Sequence, residues 1–187
     1  MTKRNALNNR HIEIHGKTIF LRPLTPEHAT EEYASWINDP EVNKYLDTRS
    51  ATIPELQEFI GRYTENENAL LLGIFWKENG EHIGNVKLEP IAWETGEAEL
   101  GIMIGNKTYW GRGAATEATN LVTRYAFDDL GLRAVTLGVV PGHKAALRVY
   151  EKCGFTIDRI EKDAVHHDGT PPGRIVMRKT APPPPAV

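Results

Sequence analysis

Apolar positions recur along this chain with two different periods, and the switches between them mark out its elements. Residues 11–14 and 17–22 read as two short strands around His15-Gly16. Ala29, Tyr33, Trp36 and Ile37 then fall at i, i+4, i+7 and i+8, one face of a helix. Thr25-Pro26 supplies a cap and a proline suited to the first helical turn, so this helix is expected over 26–38, with Asp39-Pro40 ending it. Thr52 and Glu55 fit a capping box, and Leu56, Phe59, Ile60 and Tyr63 form the stripe of a second helix. Strands follow at 69–77 and 81–89, joined by Glu78-Asn79-Gly80, and a third at 97–104. A helix is expected over 115–130, closed by Gly131, with Ala118, Leu121, Val122, Tyr125 and Ala126 on one face. Residues 134–140 are rich in β-branched side chains and read as a strand, 144–153 as a short helix closed by Gly154, and 155–161 and 174–178 as the last two strands. The order β-β-α-α-β-β-β-α-β-α-β-β predicts a mixed α/β sheet in a single domain over 11–180. It would be flanked by a flexible 1–10 and by a disordered, proline-rich 181–187.

Composition narrows the class. A chain of 187 residues can bury roughly 70% of its unfolded surface and needs no staples. There is no run of 18 apolar residues, and the basic N-terminus carries no apolar h-region, so neither a membrane span nor a secretory signal is read here. The one cysteine, Cys153, cannot form an internal disulfide, which fits a reducing, cytoplasmic setting. A net charge of −3 with no basic stripe argues against a nucleic-acid partner.

Candidate chemistry concentrates in two stretches. In 97–116, EAELGIMIGNKTYWGRGAAT, a strand runs into a glycine-containing loop and a helix opens directly after it. Unpaired N–H groups at a helix N-terminus suit a phosphate or pyrophosphate, and small residues let one approach. The loop lacks both the Gly-Lys-Ser/Thr of a Walker loop and the GxGxxG of a dinucleotide fold. Taken alone, it could equally be a tight turn before a helix. The second stretch, 139–155, reads VVPGHKAALRVYEKCGF.

Together these stretches resemble the GNAT superfamily of acetyl-CoA-dependent N-acetyltransferases, in particular its RimJ/RimL-like branch. The likeness rests on Trp110-Gly111-Arg112-Gly113-Ala114-Ala115-Thr116-Glu117-Ala118 and on Glu151-Lys152-Cys153-Gly154-Phe155. Ser35-Trp36-Ile37-Asn38-Asp39-Pro40-Glu41-Val42 and Ile83-Gly84-Asn85-Val86 add to it, and the likeness spans about 17–179. It implies a mostly antiparallel sheet splayed between the 97–104 and 134–140 strands. In that slot Ile102, Met103 and Ile104 would pair with the pantetheine arm, and Arg112, Gly113, Ala114, Ala115 and Thr116 would hold the pyrophosphate. His143 stands where the family usually has Asn, and Ala146 where it usually has Ser.

Amine acetylation needs a proton for the leaving thiolate and a base for the amine. Tyr150 lies where many family members keep an acidic Tyr, and a phenol with a reference pKa of ~10 is protonated at neutral pH. Glu97 and Glu99 alternate with Ala98 and Leu100, so both carboxylates share one side of a strand; Glu99, Glu97 or a water would take the amine proton. Gly113→Val is expected to block the phosphate while sparing the fold. His166 and His167 sit beside Asp163 and Asp168, but adjacent histidines point apart and no third spaced ligand stands out, so no metal is expected. Cys153 reads as a core residue. The sequence therefore predicts a soluble, cytoplasmic enzyme, monomeric or a homodimer. It would transfer acetyl from acetyl-CoA to a protein N-terminus, an amino sugar or another small amine. The alternative is a non-catalytic CoA-binding regulatory module.

Overall fold

The structure, a computed structural model, describes residues 12–162 and 173–183. Its strands are β1 (Ile14–His15), β2 (Ile19–Pro23), β3 (Leu70–Trp76), β4 (His82–Ala92), β5 (Glu97–Ile104), β6 (Ala134–Val139), β7 (Thr156–Glu161) and β8 (Arg174–Thr180). Its helices are α1 (Glu31–Asn38), α2 (Ile53–Thr64), α3 (Ala114–Asp128) and α4 (Lys144–Lys152). Element order and type match the expectation, with one break. The stretch expected as one helix over 26–38 is a 3-10 turn at Pro26–His28 followed by a separate α1. Thr30 is the true cap: its side chain accepts from the Tyr33 amide, and Glu31 and Glu32 fill the first turn, where carboxylates favour the helix dipole. Two start signals lie five residues apart, and the second wins. The segments 1–11, 163–172 and 184–187, with His166, His167 and most of the proline tail, lie outside the described residues.

One sheet holds all eight strands in the order β1-β2-β3-β4-β5-β6-β8-β7. Every pairing is antiparallel except β5 with β6. β3 reads LLLGIFW and is buried almost throughout, because helices cover both faces of the sheet. Leu70, Leu72 and Ile74 face α3 in one core with Val86, Leu88, Ala98, Leu100, Ala118 and Val122. Leu71 and Phe75 face α1 and α2 in a second core with Tyr33, Trp36, Leu56 and Ile60.

The parallel seam is short. Glu97, Ala98 and Glu99 pair with Ala134, Val135 and Thr136, and there the ladder stops. β5 continues to Ile104 against β4 alone, with Ile102 opposite Val86, Met103 opposite Asn85 and Ile104 opposite Gly84. β6 continues to Val139 against β8 alone. The sheet therefore parts between β5 and β6, as the family resemblance implied, and leaves one edge of each strand without a backbone partner among the described residues.

Candidate active site

The parted edges lead toward the start of α3. Trp110 ties the end of β5 to the following loop, its indole N–H donating to the Ile104 carbonyl at 2.7 Å. Gly113 caps α3 in the left-handed region at φ 88°, where only glycine sits without strain. The first intrahelical bond runs from the Glu117 amide to the Gly113 carbonyl, so the amides of Ala114, Ala115 and Thr116 find no acceptor among the described residues. Nothing lies within 4 Å of where a side chain would stand at Gly111 or Gly113. An open, donor-rich cradle thus adjoins the free edge of β5, and both fit an extended ligand ending in a pyrophosphate. Arg112 is exposed at its rim, its guanidinium 5.2 Å from the centre of the Tyr109 ring. Glu117, inside the same motif, is structural: its carboxylate accepts from the Lys17 amide and from the Thr18 amide and hydroxyl, anchoring α3 to the β1–β2 turn.

α4 brings three further residues to this end of the sheet. Tyr150 is 8% exposed and meets Phe155 edge-on at 6.2 Å. Burial pushes its phenol up to about 12, so it stays protonated at neutral pH. Its hydroxyl has no hydrogen-bond partner among the described residues. Cys153 donates to the Thr116 carbonyl at 3.5 Å and joins α4 to the first turn of α3. Burial pushes its thiol up, which suits a core residue rather than a nucleophile. His143 caps α4, its Nδ1 accepting from the Ala146 amide at 3.4 Å. Burial, and then the charge of Lys44, push its pKa down from the usual imidazole range. The same ring stacks on Tyr45 at 4.1 Å, which joins the α1–α2 connection to the β6–α4 connection. No periodicity in the sequence pointed to Tyr45.

Glu97 and Glu99 share the sheet face opposite Ala98 and Leu100, and both reach across β6 to arginines of β8. Glu97 is held by both terminal nitrogens of Arg178, at 3.1 and 2.6 Å, which pulls its carboxyl below the usual range. Glu99 is held through Oε1 alone, by Nη2 of Arg174. Arg174 also lies 3.8 Å from Glu161, itself 2.9 Å from Arg159, so a train of charges runs from Glu99 to the outermost strand. The sequence offered no sign of either arginine's role. Among the described residues no cluster of three or more His, Cys, Asp or Glu could hold a metal ion, and no helix is long and apolar enough to cross a membrane.

Residues 18–156 match the family model for the acetyltransferase (GNAT) domain, and the chain belongs to that family of acetyl-CoA-dependent N-acyltransferases. It is 31% identical over 164 residues to the Probable N-acetyltransferase YjcK of Bacillus subtilis, covering 82% of this chain and 89% of the relative. The fold matches a spermidine N-acetyltransferase from Vibrio cholerae solved with CoA and spermine, at TM-score 0.80 and 21% identity over 88% of this chain and 96% of the other. It also matches a ribosomal-protein-S5-alanine acetyltransferase from Vibrio fischeri, at TM-score 0.76 and 16% identity over 90% and 96%.

Proposed function

We propose that this acyltransferase moves the acetyl group of acetyl-CoA directly onto a primary amine in the cytoplasm, in the manner of the RimJ/RimL-like branch. The observation that carries the reading is the free edge of β5 ending beside the unpaired amides of α3. When bound, acetyl-CoA supplies an activated thioester. In this reading the edge at Ile102, Met103 and Ile104 holds the pantetheine arm as a neighbouring strand would, and its N–H groups polarise the carbonyl. The amides of Gly113, Ala114, Ala115 and Thr116 hold the pyrophosphate together with the Arg112 guanidinium, the Arg112 amide already donating to the Tyr109 carbonyl at 3.4 Å. His143 uses Nδ1 as a cap, which leaves Nε2 to meet the arm from the β6 side.

Tyr150 keeps its proton until a thiolate needs it, because burial disfavours the phenolate. Glu99 is the better placed of the two carboxylates to take the amine proton. Arg178 occupies both oxygens of Glu97, whereas Arg174 occupies only Oε1 of Glu99. The acceptor is a small amine, an amino sugar or a protein N-terminus. The likeness to a spermidine and to a ribosomal-protein acetyltransferase supports testing polyamines and N-terminal peptides side by side.

Thiol release from acetyl-CoA, followed against polyamines, amino sugars and N-terminal peptides, tests the reading. Turnover with at least one amine is expected. Saturable acetyl-CoA binding with no thiol release in any arm would establish the regulatory alternative instead.

A further inference from the structure

We propose that the outer edge of β7 pairs antiparallel with the same edge of a second copy of this chain, with Asp158 of each copy opposite Arg159 of the other. β7 is the last strand of the sheet and, among the described residues, bonds only to β8, so its other edge carries backbone groups that no described strand pairs. Such an edge is a template for another strand unless it is blunted. β7 reads TIDRIE: it has no proline to block pairing, its charges and its bulge blunt it against a strand that does not match them, and Thr156 to Ile160 are all exposed. Ile157 and Ile160, 56% and 58% exposed, join Trp110 as the large exposed apolar side chains of the described residues.

A bulge decides how these two isoleucines lie. In a regular strand, residues three apart point to opposite faces. Here Ile157 pairs with Met177 and Ile160 with Ile175, while Arg159 pairs with Val176, because an extra residue is inserted between Ile157 and Arg159. Met177 and Ile175 are two apart on β8 and share a face, so Ile157 and Ile160 share it too.

The segment is then complementary to itself. Turned antiparallel about a two-fold axis between Asp158 and Arg159, it places Ile157 opposite Ile160, Asp158 opposite Arg159 and Thr156 opposite Glu161 of the partner. A two-fold contact uses each pair twice, giving one patch of four isoleucines and two opposite-charge pairs. The bulge makes this register possible, since it keeps like faces together where an unbulged strand would oppose unlike ones. The charges also select the occupant. Arg159 already lies 2.9 Å from both Asp158 and Glu161 within one chain, so the edge carries both signs and suits its own copy better than a partner of one sign.

Sedimentation velocity of the full chain and its variants tests the proposal. The unaltered chain is expected to sediment at twice the chain mass. Asp158→Arg sets Arg against Arg across the axis and Arg159→Asp sets Asp against Asp, so each alone is expected to be monomeric. Mixed in equal amounts they restore both opposite-charge pairs, and the mixture should dimerise, as should the doubly exchanged chain. Circular dichroism melts confirm that each variant folds. If a charge reversal does not fold, Ile157→Thr with Ile160→Thr serves instead, because both side chains are more than half exposed and Thr suits a strand; that variant should be monomeric. A monomeric unaltered chain overturns the proposal, as does a dimer that survives either reversal or the threonine pair, or single variants that stay monomeric when mixed.

Discussion

Arg174 reaches Glu99 by lying across β6 directly over Gly138. A Cβ at Gly138 would collide with the Arg174 guanidinium, so the missing side chain is what lets the two residues meet. The relationship gives a paired prediction. Gly138→Ala should displace Arg174 and reproduce the kinetics of Arg174→Ala, and the double variant should be no worse than either single one. If Arg174 orients the base, each should lower kcat by up to roughly 10²-fold, with the KM for acetyl-CoA nearly unchanged. An Arg174→Ala enzyme within twofold of the parent would reduce the contact to an ordinary surface ion pair.

Tyr150→Phe removes one hydroxyl and keeps the buried ring. That hydroxyl has no partner among the described residues, so the melting temperature should hold or rise slightly. Activity should not hold. Loss of a general acid costs roughly 10² to 10⁴ in rate, or about 3 to 5 kcal/mol of barrier. A variant with kcat within threefold of the parent, under conditions where chemistry is shown to be rate-limiting, would leave the ring a packing role and give proton delivery to water.

The sequence suggested that Gly113→Val would spare the fold, and the backbone corrects this. At φ 88° any Cβ is strained whatever space surrounds it, at a cost of roughly 1–2 kcal/mol. Gly113→Ala, the mildest case, should therefore lower the melting temperature of the free protein by about 2–8 °C. It should also weaken acetyl-CoA binding in a calorimetric titration. An unchanged melt would show that the α3 cap tolerates another backbone conformation.

His82 ties stability to pH. Its ring lies among Phe75 and Trp36 at 5.1 Å, Tyr33 at 5.5 Å and His28 at 6.1 Å, with Arg22 over the Phe75 ring, and its Nε2 has no partner among the described residues. Burial pushes its pKa down to about 4, with smaller contributions from His28 and Arg22. The unfolded chain takes up this proton first, near pH 6.5. Stability is therefore full above 6.5 and falls as pH drops toward 4, by about 3 kcal/mol in all. His28, also lowered by burial, adds in the same direction. Urea melts of the parent and of His82→Phe across that window should diverge, the variant losing less; parallel curves would assign the loss to groups other than His82.

The boundaries of β5 and the glycines around α3 were legible because each rests on local chemistry: alternation in EAELGIMI, and small residues at a strand-to-helix turn. The parting of the sheet was legible only through family likeness, since no periodicity encodes which strands pair. Contacts between distant segments left no trace in the chain. Glu99 and Arg174 are 75 residues apart, and their meeting depends on β8 inserting between β6 and β7. The Tyr45–His143 stack joins two loops that no periodicity in the sequence relates. Thr30 was overlooked because Thr25-Pro26 gives a stronger start signal five residues earlier, and Ala29 fits the apolar period whether or not the helix runs through it.

The three-residue seam between β5 and β6 also bears on how the molecule breathes. Among the described residues, strands β1 to β5 and strands β6 to β8 are two ladders that share only those backbone pairs, otherwise joined by the Glu97–Arg178 and Glu99–Arg174 ion pairs and through the core beneath α3. Without ligand, the amides of β6 and β8 should exchange with solvent as a unit of lower opening free energy than those of β3 and β4. A molecule that spans the gap with strand-like bonds would splice the ladders into one. Acetyl-CoA should then slow exchange in β6 and β8, well beyond the residues it touches, and bring the two halves to a common opening free energy.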